Sequence, residues 1–202
     1  MTATAPRARG EYAKSAARRL QILTAAVEVF SASGFHRGSL RDVAERTGLS
    51  QAGVLHHFSS KSELVAAVLT WRDEQAEGRF HDALSGVQWI RALVDLVESN
   101  QRESPQLAEM YALLSSEATS PEHPVHEYFT QRYVWVVANA REALERAAQV
   151  GHLRPGVDPA SAARTLIALM DGLQVQWLYD RGGVDMAADF HRYAQSLFTV
   201  DL

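Results

Sequence analysis

The chain contains no cysteine, which excludes disulfides, thiolate metal sites and a cysteine nucleophile. It also lacks any apolar run near the roughly eighteen residues that cross a bilayer, and its polar N-terminus has no signal-peptide core. A soluble, cytoplasmic protein is therefore expected. No phosphate-cradling glycine loop, nucleophile elbow or HExxH is present, so no enzymatic constellation stands out and no cofactor is implied. Convincing period-two alternation is absent too, leaving an all-α reading. What the 202 residues do have is 47% hydrophobic content, enough for one substantial core plus a small satellite domain.

Positive charge is scarce overall, with a formal net of −4, but it is unevenly placed. Residues 1–61 carry nine Lys/Arg against four Asp/Glu, a local +5, which leaves −9 for the remainder. A basic head on an acidic body fits polyanion binding, because only a local basic surface is required.

The stretch from Ser39 to Lys61 packs three helix starts and two tight turns into a short span. Ser39 with Asp42, Ser50, and Ser60 with Glu63 are successive N-cap signals, so helices are expected to begin near Leu40, Gln51 and Lys61. Gly48 supplies the positive φ that ends the first of them. That is the grammar of a helix-turn-helix.

Along the chain, residues 1–14 lack periodicity and are expected to be a disordered basic arm, whose Arg7 and Arg9, with Lys14, Arg18 and Arg19, can reach phosphates. Residues 15–61 form the three-helix DNA-binding unit. Its first helix carries the stripe Leu20, Leu23, Val27 and Phe30, ends at Gly34, and shares a core with Phe35, Val43, Ala44, Leu49, Val54 and Phe58. Helix four runs from Lys61 to about Arg72 or beyond and links this head to a helical body, residues 62–202. Gly78 and Gly86 bracket a loosened connection. In the body, Ser104 with Pro105 opens one helix, a long helix spans about 125–150, and Asp158 with Pro159 opens another that runs to about Tyr179. The last of these is apolar on most of its circumference. Either it joins its long predecessor in a four-helix dimer interface, or both fill the monomer core.

With RRLQILTAAVEVFSASGF, SLRDVAERTGLSQAGVLHHFSSKSELVAAVL and ALMDGLQVQWLYD in order, the sequence resembles the tetracycline-repressor (TetR) family of bacterial transcriptional regulators. The resemblance is specific over about residues 18–69 and looser in the body. It implies an all-helical homodimer through helices near 125–150 and 159–179, two heads on a palindromic operator in double-stranded DNA, and a body pocket whose small-molecule effector loosens DNA binding. By position it implies phosphate contact for Ser39 and Lys61, and base or phosphate contact for Arg41. Gln51, Ala52, Gly53, Leu55 and His56 fall on the exposed recognition-helix positions, with His57 beside the aromatic Phe58. Many members have a tyrosine where this chain has Leu55, which instead suits a thymine methyl.

Other groups carry weaker signals. His56 and His57 point about 100° apart on a helix and do not converge on a metal. Glu122, His123 and His126 lie in the loop TSPEHPVH, where a solvated loop is preferred to a metal site. Bulky residues on body helices, namely Trp89, Met110, Tyr111, Leu114, Phe129, Tyr133, Trp135, Met170 and Trp177, can pack the core or wall a pocket. Of these, Trp89, Met110, Tyr111, Leu114, Trp135, Met170 and Trp177 are the ligand-wall candidates. A constitutive or activating regulator with a filled body, and more remotely a small helical enzyme, remain as alternatives.

Overall fold

The structure, a computed structural model, describes residues 7–77, 80 and 86–202, with side chains from Lys14 onward apart from Glu77. Nine α-helices run through the described residues: α1 (Arg7–Arg37), α2 (Leu40–Thr47), α3 (Gln51–His57), α4 (Lys61–Glu77), α5 (Val87–Arg102), α6 (Pro105–Glu117), α7 (His126–Gln149), α8 (Pro159–Tyr179) and α9 (Met186–Ser196). The one β-bridge among them pairs Leu153 with Phe198 and clips the far end of the body.

Helix α1 begins at Arg7, so the stretch expected to be a structureless arm is helical over most of its length. Its alanines, arginines and lysine are strong helix formers that extend a helix already nucleated downstream. Near the other end, Gly34 leaves helical geometry at φ 66°, ψ −173°, and the chain resumes one short turn to Arg37. Gly78, the first of the two glycines expected to bracket a connection, lies outside the described residues, whereas Gly86 precedes α5 with φ 56°.

Two cores form. The first gathers Ile22, Val27, Phe30, Phe35, Val43, Val54, Phe58 and Leu64 of the head, and it continues without a break into Met110, Tyr111 and Leu114 of α6 and Phe129 of α7. The second fills the body from α5, α7, α8 and α9, around Trp89, Ile90, Leu144, Leu166, Phe190 and Phe198. Helix α1 lies along α6, which seats the head directly on the body.

At that seam the backbone groups freed by Gly34 find partners. The Phe35 N–H donates to Glu117 Oε2 at 2.7 Å, and Lys61 Nζ donates to the carbonyls of Phe35 (2.7 Å) and Gly38 (3.2 Å). The Phe35 ring lies under Lys61 and edge-on to His123, 4.7 Å between ring centres. His123 is thus buried against the head rather than solvated in its loop.

Helix α8 is not covered all round. Leu166, Ile167, Leu173 and Trp177 are buried, but Val175 and Tyr179 are exposed, as is Val134 on α7. Ala168, Gly172, Val175 and Tyr179 fall at helical spacing on one stripe, beside a groove of about 720 Å³ between α7 and α8.

Candidate nucleic-acid interface

Helix α3 is short and held by its ends. Ser50 Oγ accepts the Gly53 N–H at 3.1 Å, and Gly48, at φ 67°, closes α2 in the left-handed conformation a side chain would strain. Val54 and Phe58 are fully buried and anchor the inner face. Gln51, Ala52, Leu55 and His56 are left on the outside, with Gly53 and His57 half-covered. A Cβ at Gly53 would meet only ordinary contacts from Leu49 and Ser50, so nothing inside the protein demands glycine there.

The flanking residues divide into free and committed groups. Ser39 and Asp42 form a reciprocal capping box: Ser39 Oγ accepts from Asp42 N (3.2 Å), and both Ser39 N and Ser39 Oγ donate to the Asp42 carboxylate. Arg41 is exposed and pairs with Glu45 at 3.0 Å, an i,i+4 surface pair of little net energy that exchanges readily for a phosphate. Lys61 is turned inward, with two of its ammonium protons spent on carbonyls at the seam. Arg19 stacks on Phe58, 4.2 Å from the ring centre, and donates to the His57 carbonyl at 3.2 Å, closing the C-terminal end of α3. The His57 imidazole is held below its ordinary pKa by burial, then by the positive field of His56, Arg19 and Arg18, so it is neutral at neutral pH.

Behind the head, α4 enters the body through a buried polar cluster. Arg72 stacks over Tyr111, 4.0 Å from the ring centre, and its guanidinium donates to Asp73 Oδ1 at 3.2 Å. The Asp73 carboxylate also accepts the Tyr128 hydroxyl at 2.6 Å and faces Arg132 Nε at 3.5 Å. Deeper in, the Tyr133 hydroxyl donates to Asp171 at 2.8 Å. Burial raises the pKa of both tyrosines, the neighbouring carboxylates adding to it, so they stay protonated donors. Burial likewise raises that of Asp171, against the pull of Tyr133, Arg72 and Arg132. A cleft of about 300 Å³ beside the cluster is lined by Asp73, Ala76, Phe80, Tyr128, Gln131, Arg132 and Trp135.

The ligand-wall candidates are not gathered round one cavity. Met110, Tyr111 and Leu114 sit in the head-side core; Trp89 and Trp177 are buried in the body core with Met170 packed against it; Trp135 lines the cleft. The charged cluster itself was absent from the sequence reading. Its one visible signal is Asp171, a lone charge inside the apolar run ALMDGLQVQWL. Among the described residues no group of three or more His, Asp or Glu is arranged to hold a metal; His126 Nδ1 is bonded to the Ala118 carbonyl at 2.7 Å.

Residues 22–68 match the family described as bacterial regulatory proteins, tetR family, and residues 86–199 match the C-terminal domain of BetI-type transcriptional repressors. The HTH-type transcriptional regulator UidR of Escherichia coli K12 is 26% identical over 156 residues, covering 77% of this chain and 79% of its own. Among solved structures, a regulator of Saccharomonospora viridis in complex with choline is 20% identical and superposes with a TM-score of 0.76, covering 90% of this chain and 98% of the other. Another, solved to explain control of antibiotic production by a bacterial hormone, is 30% identical with a TM-score of 0.62, covering 88% and 92%. With a helix-turn-helix head, a body matched over more than half of the chain's length and relatives that are transcriptional regulators rather than enzymes, this chain belongs to the TetR family of bacterial transcriptional regulators.

Proposed function

We propose that the protein is a homodimeric repressor that leaves a palindromic operator when a small molecule enters its body. The observation that carries this reading is the route of α4. The same helix that starts under the recognition unit, at Lys61, ends in the Asp73 cluster beside an open cleft. A ligand that prefers one arrangement of that cluster biases the position of α4, and with it the heads; coupling then equals the ligand's differential affinity for the two states.

In this reading, α3 enters the major groove with Gln51, Ala52, Gly53, Leu55 and His56 toward the bases, Gln51 being suited to adenine. Arg41, Ser39 and His57 flank it at phosphates or base edges. Lys61 contributes by holding the end of α1 in place, with its remaining proton free for a phosphate. The uncovered stripe of α8 and Val134 of α7 supports a two-fold dimer, which spaces the two recognition helices about 34–36 Å apart, one turn of DNA.

The test is a titration of an operator fragment recovered by selection from random DNA. Arg41→Ala and Gln51→Ala each weaken binding by about tenfold with unchanged melting temperature, and Val175→Glu yields monomers that bind one half-site weakly. Unchanged operator affinity in both head variants refutes the interface.

A further inference from the structure

We propose that the cleft between α4 and α7 receives a small organic acid with a flat apolar body, its carboxylate seated on the Arg132 guanidinium. The inference rests on the effector-responsive reading and names the chemistry of the effector.

The argument is one of charge supply. Among the described residues, Asp73 is the carboxylate in ion-pair contact with both Arg72 and Arg132 while it accepts the Tyr128 hydroxyl, and the shorter contacts go to Tyr128 (2.6 Å) and Arg72 (3.2 Å). Arg132 is left with a 3.5 Å approach, and its Nε is buried without a hydrogen-bond partner. Such an atom costs free energy until something satisfies it. The second carboxylate of the cluster, Asp171, is turned to Tyr133, and burial disfavours its charged form. An incoming carboxylate meets a planar donor fork that it matches in a two-point contact.

The walls select for the rest of the ligand. Ala76, Phe80 and Trp135 offer apolar surface in the cleft, and a volume of about 300 Å³ suits a small molecule. A cationic ligand is disfavoured for a specific reason. The Trp135 face already carries Arg132, with the guanidinium carbon 5.0 Å from the ring centre, so a cation drawn to that face meets a like charge. The acid would compete with Asp73 for Arg132. Because Asp73 belongs to α4, that exchange loosens the tie between α4 and α7, which is the displacement an effector must cause.

The experiment is isothermal titration of the full-length protein with phenylacetate and indole-3-acetate, each beside its neutral amide, and with choline. The acids should bind at least about tenfold tighter than their amides. Arg132→Gln should erase that preference. Asp73→Asn, which frees Arg132 of its internal partner, should tighten both acids severalfold and leave the amides unchanged, a gain that misfolding does not produce. Equal binding of acid and amide, no binding of either acid, or a preference that survives Arg132→Gln overturns the proposal. A parallel operator titration separates the two levels. Release by choline without acid binding overturns the acid site and keeps the effector-responsive reading; acids that bind without releasing operator keep the site and refute that reading.

Discussion

Head and body are both helical, but their polar ties differ in emphasis. In the head, the starts of the short helices are fixed by local caps, Ser39 with Asp42, Ser50 with Gly53 and Ser60 with Glu63, each over three residues, while Arg19 and Lys61 reach further, to the backbone carbonyls of His57 and Phe35. In the body, the ties across the chain start from buried or half-buried side chains. Asp73 meets Tyr128, Tyr133 meets Asp171, and Gln174 Nε2 donates to the Ala108 carbonyl. Local caps define where a helix begins and leave its outer face free for a partner. Long-range buried pairs hold helices to one another, and they are sensitive to any ligand that offers a better partner.

The largest expected effect tests whether the two regions are separable at all. Phe58 is fully buried in the head, yet its core runs on into Met110, Tyr111 and Leu114 of the body. Phe58→Ala should therefore cost about 3–5 kcal/mol and lower a single transition. Circular dichroism reports all the helices, whereas in a Trp71→Phe background, which removes the tryptophan packed against the head core, the tryptophans at 89, 135 and 177 report the body. Coincident urea curves support one cooperative unit. An early helical loss without a tryptophan change would show that the head melts alone, and the contrast would become one between two domains.

The difference in fastening also decides what a reader of the sequence can see. A cap announces itself in four letters, so the starts of α2, α3, α4 and α8 were legible at Ser39, Ser50, Ser60 and Asp158. One detail differs, since the Glu63 carboxylate turns back to the backbone and hydroxyl of Ser59 rather than to Ser60. The inner face of α1 was legible by periodicity, because Leu23, Val27 and Phe30 recur at helical spacing and are buried, although Leu20, expected on the same stripe, is exposed. The cluster around Asp73 was not. Arg72, Asp73 and Arg132 look like solvated charges on amphipathic helices until α4 and α7 are brought together, and their 59-residue separation carries no local signature. For Lys61, a family position names a residue but not which way its ammonium turns, here to the carbonyls of Phe35 and Gly38.

A smaller effect sets the head's stability against its function. Gly53 sits inside a helix with room for a methyl group and no positive φ, so Gly53→Ala should stabilise the free protein by up to about 1 kcal/mol. If the recognition helix lies against DNA at this residue, the same change should weaken operator binding. Melting temperature and operator affinity then move in opposite directions. If both rise, Gly53 faces solvent in the complex and the groove-facing set must rotate around the helix.

The smallest effect concerns two histidines, one on each side of the contrast. His57 in the head and His123 at the seam are both held below the ordinary value of 6.5, in each case chiefly by burial. For His123, Glu117 opposes the shift while His36, His126 and Lys61 add to it. A histidine depressed in the folded state leaves the unfolded chain with more bound protons in that window. Its contribution is therefore complete above 6.5 and is lost as pH falls through the folded value. Melting temperature should decline on acidification from about pH 7 to pH 5.5, and His123→Phe, which keeps the edge contact with Phe35 but cannot take up a proton, should flatten that decline. Operator DNA distinguishes the two sites. If α3 docks on DNA, phosphates beside it favour the charged imidazole and should reverse the contribution of His57, whereas His123, packed between head and body, should respond identically with and without DNA. A DNA-dependent slope that survives His57→Gln but vanishes in His123→Phe would place the pH sensor at the seam and make it part of the coupling between body and head.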